Sequence, residues 1–299
     1  MKRLASLILI SILAGILVPK ISTAQGVLNG IYVKYRDKQR KPVAYKPLRE
    51  ADVMWSKFIM RRVDLREKLN HPLYYPTTAI QERMSLIDLL LHGIKNEGLT
   101  AFNPDGWAGE EFNVPMTWPE IEAKFDAGAD TIQVMNVETG EMEERYSTNE
   151  ITSYEVKQYL VKEMWYFDRK YSTLNVRIIG LCPIREYTKM GSADMSIESL
   201  ALLEESAEEA TQRKLFWISF VEFRPLFANH EVMNPYNDAE RRSFDDIFFK
   251  RKFSSYIVQE SNIYDNRNIN EYSLGRNTLL ESERIKNWVF NLEQDIWEY

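Results

Sequence analysis

One run constrains the fold more than any other: Lys214-Leu215-Phe216-Trp217-Ile218-Ser219-Phe220-Val221-Glu222-Phe223. Its density of aromatic and β-branched residues predicts a buried central strand. Arg224-Pro225 is expected to end that strand, because proline has no N–H to give to a ladder. A turn-rich stretch follows, Asn234-Pro235-Tyr236-Asn237-Asp238. Residues 243–258 then place apolar side chains at 244, 247, 248, 253, 256 and 257, close to helical spacing. Ser243 is suited to cap such a helix, with Asp245 and Asp246 in its first turn, where the helix dipole favours acids. The expected unit is a buried strand covered by an amphipathic helix. The fold class is α+β, antiparallel sheet elements packed with amphipathic helices.

The start of the chain has the form of a secretory signal. Met1-Lys2-Arg3 is basic, residues 4–18 are apolar apart from Ser6, Ser11 and Gly15, and Ser22-Thr23-Ala24 supplies small residues for cleavage after Ala24. The apolar run is short for a bilayer span, although an uncleaved anchor is the rival reading. No cysteine follows it to carry a lipid. Loss of residues 1–24 removes Lys2, Arg3 and Lys20 and no acid, moving the net charge from −6 to about −9. An acidic chain of this kind lacks the basic patch of a dedicated nucleic-acid binder. The single cysteine, Cys182, rules out an intramolecular disulfide. It sits in an apolar run and reads as a small buried hydrophobe.

Residues 25–47 are basic and carry Tyr32, Tyr35 and Tyr45; they read as an extended arm. Residues 50–70 and 150–162 have apolar spacing expected of helices. So do residues 85–96, capped by Ser85, and the short segment opened by Thr117 with Pro119 in its first turn. Residues 131–138 read as a strand before a Thr139-Gly140 turn. Residues 164–170 and 174–184 read as paired strands about Tyr171-Ser172-Thr173. Residues 195–211 have acidic helical composition, 263–275 are loop-like, and 279–297 form a final helix. In that helix Leu279, Leu280, Ile285, Val289, Phe290, Leu292 and Ile296 are placed on one face. A faint echo relates Trp55-x-x-Phe58-Ile59-Met60-Arg61-Arg62 to Phe244-x-x-Ile247-Phe248-Phe249-Lys250-Arg251, which allows two similar subdomains. The organisation expected is signal 1–24, arm 25–47 and two α+β regions, 48–149 and 150–299.

Catalytic spacings do not occur. His71, His92 and His230 stand far apart in sequence, with no HxxxH or HExxH pattern. No GxSxG elbow or phosphate-binding glycine loop is found. No cofactor is expected. Carboxylate pairs such as Asp245-Asp246 and Glu110-Glu111 are available, but helical neighbours point apart and Asp245 is better explained as a first-turn acid. Seven Trp, 16 Tyr and 14 Phe exceed what one expects of a plain core, and aromatics also anchor interfaces. An exported hydrolase working through two carboxylates, or a periplasmic module for a small ligand, are the alternatives to a binding protein. The first requires a carboxyl pair about 5–10 Å apart and the second a preformed pocket.

Several runs together carry a resemblance. They are Leu69-Asn70-His71-Pro72-Leu73-Tyr74-Tyr75-Pro76, Trp165-Tyr166-Phe167-Asp168-Arg169-Lys170, and Arg177-Ile178-Ile179-Gly180-Leu181-Cys182-Pro183. With them stand Leu215-Phe216-Trp217, Ser243-Phe244-Asp245-Asp246-Ile247, Arg251-Lys252-Phe253-Ser254-Ser255, and Leu280-Glu281-Ser282-Glu283-Arg284-Ile285-Lys286 closing on Asp295-Ile296-Trp297-Glu298-Tyr299. In this order, behind a secretory signal, they resemble the gliding motility family GldN, called PorN in non-gliding bacteria. The resemblance implies a non-enzymatic part of the type IX secretion machinery of Bacteroidetes. It implies a periplasmic location and a large ring built with an outer-membrane lipoprotein, GldK or PorK. It further implies contact with the periplasmic part of the motor protein GldM or PorM. No catalytic residues come with it. Partner contacts are expected at the arm, around Tyr32 and Tyr35, and at the aromatic C-terminus, Trp297 and Tyr299.

Overall fold

The computed structural model describes residues 40–80, 83–105, 112–135, 142–149, 151–187, 211–237 and 239–297. Residues 1–24, read from sequence as a signal, and Tyr32, Tyr35, Tyr299 and most of 195–211 lie outside these. Residues 38–299 form one compact unit. In chain order the strands and helices are β1 (Val53–Asp64), α1 (His71–Tyr74), α2 (Leu86–Asn96), β2 (Ala101–Phe102), β3 (Pro115–Met116), α3 (Trp118–Lys124), β4 (Gly128–Met135), β5 (Met142–Asn149), β6 (Val156–Asp168), β7 (Thr173–Tyr187), β8 (Thr211–Lys214), β9 (Trp217–Ser219), α4 (Phe220–Asn229), β10 (Glu231–Val232), β11 (Arg242–Ser243), α5 (Phe244–Phe249), β12 (Tyr256–Glu260), α6 (Ile269–Tyr272) and α7 (Arg276–Trp297). No helix among the described residues is long and apolar enough to cross a membrane.

The frame is an eight-stranded sheet in the order β12-β1-β6-β7-β9-β2-β3, with β8 also pairing β7. Every pairing in it is antiparallel. The α+β class read from sequence is the class observed. The paired strands expected about residues 171–173 are β6 and β7, whose connection places Ser172 at φ +50. Of the segment read as a strand at 131–138, residues 131–135 lie in β4, which pairs β5 as a separate hairpin; the rest and the turn are outside the described residues.

Three elements read as helices are strands for at least part of their length. Residues 53–64 form β1 because Trp55, Ile59 and Val63, spaced by four, share one face of a strand as well as one face of a helix. Residues 156–168 form the single central strand β6, flanked by β1 and β7. Burial on both faces replaces the alternation that marks a half-exposed strand with a near-continuous apolar run. The helix expected over 243–258 stops at Phe249, and residues 256–260 become β12. The echo segments therefore differ in structure, one lying in strand β1 and the other in helix α5.

The run 214–223 is also divided. Leu215 and Phe216 separate β8 from β9 along one edge of β7, with Leu215 N–H donating to the Pro183 carbonyl at 3.0 Å. The chain then turns into α4 at Phe220, and Pro225 lies inside that helix. Phe220, Phe223 and Phe227 recur at helical spacing, and that period overrides the strand propensity of their neighbours. Phe227 meets Phe220, Phe223, Phe244 and Phe248, and Phe248 in turn meets Phe220 and Phe253, at centroid distances of 5.6–6.4 Å. This aromatic cluster joins α2 and α4 to the sheet through Leu86, Leu89, Leu90, Val161 and Leu181.

Alternation along β6 sends Tyr159 and Val161 into that core and Leu160 to the opposite face. There Leu160 packs with Met60, Cys182, Ile184, Trp217 and Val258, and with the partly buried Phe112. Gly180 permits this: a Cβ there would lie 2.4 Å from the Phe112 ring and 2.8 Å from the Ile218 carbonyl. Cys182 is fully buried, and burial pushes its thiol up to about 12 from 9.0. The unfolded thiol releases its proton near 9 while the folded one retains it, so its linkage to stability runs downward with rising pH between those values. The expected slope is about 1.4 kcal/mol per pH unit from this one group. Urea titrations at pH 8, 9 and 10 should show a shallower fall in stability for Cys182→Ala than for the native chain. Equal slopes would refute the assignment.

Candidate interaction surface

Helix α5 is built as the sequence suggested and then puts its acids to different uses. Ser243 Oγ accepts from the Asp246 N–H at 3.2 Å, and the Asp246 carboxylate accepts in return from the Ser243 N–H at 3.2 Å, a reciprocal capping box. Burial raises the Asp246 pKa, but the bonds from Lys250 and Ser243 outweigh it and hold the group below its ordinary value. Asp245 is not spent on the cap. It points inward and accepts two bonds from Arg224 of α4, 2.9 Å from Nε and 3.2 Å from Nη2, with both residues buried. Such a two-pronged guanidinium–carboxylate pair fixes orientation as well as charge.

The described part of the arm lies over this pair. Arg224 Nη2 also donates to the Val43 carbonyl at 2.7 Å, and its guanidinium sits 4.3 Å from the centre of the Tyr45 ring. Tyr45 further meets Phe249 at 6.0 Å and the Arg177 guanidinium at 5.1 Å. Arg177 of β7 donates to the Lys46 carbonyl and to Tyr166 Oη. Burial raises the Tyr45 hydroxyl pKa, and the nearby Arg224 charge opposes the rise. The extended arm expected from sequence thus continues, over residues 40–49, as an irregular strap held by two arginines. Between the strap, the first half of β7 and the end of α5 lies a groove of about 450 Å³, with Lys46, Tyr166, Asp168, Val176, Arg177 and Arg251 among its walls.

A second charge cluster supports the floor of this groove. Glu163 of β6 is completely buried. Arg251 Nη1 lies 2.8 Å from its Oε1, and Trp165 Nε1–H donates to Oε2 at 2.9 Å. Burial lowers the Arg61 pKa while the Glu163 charge supports the cation. Arg251 reaches Glu163 from an unusual backbone position. It is the left-handed residue, φ +51, that ends α5, with Lys252 N–H bonded to Ile247 O at 2.8 Å and Arg251 N–H to Phe248 O at 3.2 Å. Helix α3 ends the same way. Asp126 has φ +53, Ala127 N–H bonds Glu122 O at 3.0 Å, and the Asp126 carboxylate meets Arg185 of β7 at 2.5 Å. In both places glycine would be the easier residue. A charged residue stands there instead and ties the helix end to a buried charge on a central strand.

The C-terminal helix is only partly as expected. Ile285 and Val289 pack on Ile59, Ile257 and Ile269, and Trp288 meets Trp55 at 5.9 Å. Ser282 Oγ accepts from the Ile257 N–H at 2.8 Å, satisfying a donor of edge strand β12. Leu279, Leu280 and Phe290, placed on the buried face from sequence, are exposed. A stripe that includes all seven apolar residues is wider than the strip of sheet it covers. Trp297 is the last residue of α7. Tyr32, Tyr35 and Tyr299 are outside the described residues. The three histidines, distant in sequence, are not all distant in space: the rings of His92 and His230 lie 6.2 Å apart, with His230 Nδ1 3.0 Å from the Leu226 carbonyl.

The sequence reading gave Arg177, Arg224, Arg251 and Glu163 no part in a site. The available signal for Arg224 was the helical spacing of Phe220, Phe223 and Phe227 around it. Glu163 carried no local signal, because a lone acid after an apolar run looks like a strand end.

The family model described as "Gliding motility associated protein GldN" matches residues 48–298. The chain belongs to the GldN family. That match spans the whole sheet and every described helix, and associates the protein with gliding motility and type IX secretion. A search among curated proteins returned no match. The strap residues 40–47 precede the stretch matched by the GldN family model, whereas Arg177, Arg224, Asp245, Arg251 and Glu163 all lie within it.

Proposed function

We propose that this GldN-family protein is a non-enzymatic structural component of the type IX secretion and gliding machinery. It works in the periplasm, held at the outer membrane through a lipoprotein of the GldK or PorK type, with which it builds a ring. It meets the periplasmic part of a GldM or PorM motor protein. The observation that carries this reading is the family match over residues 48–298. The secretory signal at residues 1–24 and the exposed Leu279, Leu280 and Phe290 of α7 are consistent with an exported protein that works through contacts. Size-exclusion chromatography with light scattering tests it. The mature chain co-expressed with the lipoprotein should elute as one very large particle containing both. A persistent monomer that captures no lipoprotein would overturn the reading.

A further inference from the structure

The strand β7 has one edge half used. One side pairs β6 from Thr173 to Arg185. On the other side β9 takes Gly180 and Leu181, and β8 takes Ile184 to Tyr187. Among the described residues nothing pairs with that edge from Thr173 to Ile179. In an antiparallel ladder every second residue directs its N–H and C=O to a given side, so about three residues here present both groups unpaired. An open edge of this length is a template for another strand.

The edge does not face open solvent. It lines the groove described above, whose opposite wall is the strap at Val43 to Lys46. The volume of about 450 Å³ falls within the range of about 300–1,000 Å³ usual for binding sites. Its charge is specific. Lys46, Lys170 and Arg177 stand around the groove and the adjacent β6–β7 turn, and none has a carboxylate partner among the described residues; Lys46 and Lys170 both rest on the Tyr171 ring, at 4.4 and 5.4 Å. Asp168, the one carboxylate among the described residues that line the groove, accepts from the Lys170 N–H at 2.9 Å. Arg251 is neutralised by Glu163. This cationic rim belongs to a protein whose net charge is −6.

We propose that the groove receives an extended acidic segment of a partner protein, which adds as a strand to β7 at Thr173–Ile179 with its carboxylates on Lys46, Lys170 and Arg177. Strand addition takes affinity from backbone bonds and selectivity from the side chains beside them. The chain's own residues 25–39 are a poor occupant, since Lys34, Arg36 and Lys38 would meet a rim of like charge. The inference rests on the reading of this protein as an assembly component and names one of its contacts.

The test uses the mature full-length chain and a labelled eight-residue peptide alternating Glu and Val. Fluorescence anisotropy should detect binding, at least tenfold weaker for a Lys–Val peptide and for the Glu–Val peptide N-methylated at alternate residues. Lys46→Glu with Lys170→Glu, both at exposed positions, should weaken binding at least tenfold at low salt without changing the thermal midpoint. Hydrogen exchange should slow at residues 173–179 on peptide addition. Binding indifferent to charge and N-methylation overturns the proposal, as does no binding below 1 mM (an order-of-magnitude threshold for about 4 kcal/mol). Protection of residues 173–179 without peptide also overturns it: if it depends on protein concentration a second copy fills the edge, and if it does not the chain's own arm does. A variant that loses the peptide but still enters the large particle and restores secretion removes this contact and leaves the assembly reading standing.

Discussion

Arg224→Ala is expected to destabilise the protein by about 3–5 kcal/mol, because it strands a buried Asp245 carboxylate without its partner. The loss has a second consequence. Arg224 also holds the Val43 carbonyl and lies against the Tyr45 ring, so the strap loses its main anchor. Urea unfolding should show a lower midpoint, and trypsin should cut after Arg40 or Arg49, the strap's basic residues that do not precede proline, faster than in the native chain. The pair itself is not the same as its removal. Replacing both members, Arg224→Met with Asp245→Leu, should recover most of the stability but not the protease resistance, since buried ion pairs often exchange for apolar pairs at little cost. A loss below about 1 kcal/mol in the single variant, the size of an exposed pair, would mean that Asp245 is solvated after all.

Glu163→Ala should cost a similar amount, about 3–5 kcal/mol, through a different route. The carboxylate is buried, and Arg251 and Trp165 both bond to it while Arg61 lies close enough to feel its charge. Its removal leaves the Trp165 N–H without this acceptor and the like charges of Arg61 and Arg251 without the carboxylate that offsets them. Arg251 is the sensitive member because its backbone is left-handed, a conformation that costs a non-glycine residue about 1–2 kcal/mol. Without Glu163 that cost has no return, and the turn between α5 and β12 should loosen. Hydrogen exchange at residues 250–256 should rise more than the global loss of stability accounts for. Uniform acceleration across the chain would show instead that the cluster contributes only to global stability.

These two expectations concern charge pairs that no pattern in the sequence brought together, and the reason is the same for both. Glu163 and Arg251 are 88 positions apart and Arg224 and Asp245 are 21 apart. Each lies in a segment whose local signal points elsewhere. Arg224 precedes a proline and looked like the end of a strand; Arg251 follows apolar residues and looked like the continuation of a helix. A buried charge is recognisable only when its partner is in place. The groove has the same origin. Lys46, Asp168 and Arg177 belong to the strap, to β6 and to β7, and the unpaired edge between Thr173 and Ile179 exists only because β8 and β9 begin pairing further along.

The sequence alone determined the features that depend on neighbours in the chain. Ser85 and Ser243 cap helices because a hydroxyl can reach an N–H three residues ahead. Thr117 and Pro119 open α3 for related reasons of local geometry. The β6–β7 hairpin and the burial of Cys182 follow from runs of β-branched and aromatic residues beside a short turn. Tertiary structure decided everything that depends on which faces are covered. Spacing by four fits a strand and a helix alike, so only pairing with β6 and β12 made residues 53–64 a strand. Burial on both sides removed the alternation that would have announced β6. The width of the sheet left Leu279, Leu280 and Phe290 of α7 in solvent, because a helix can bury only the stripe that its support is broad enough to meet.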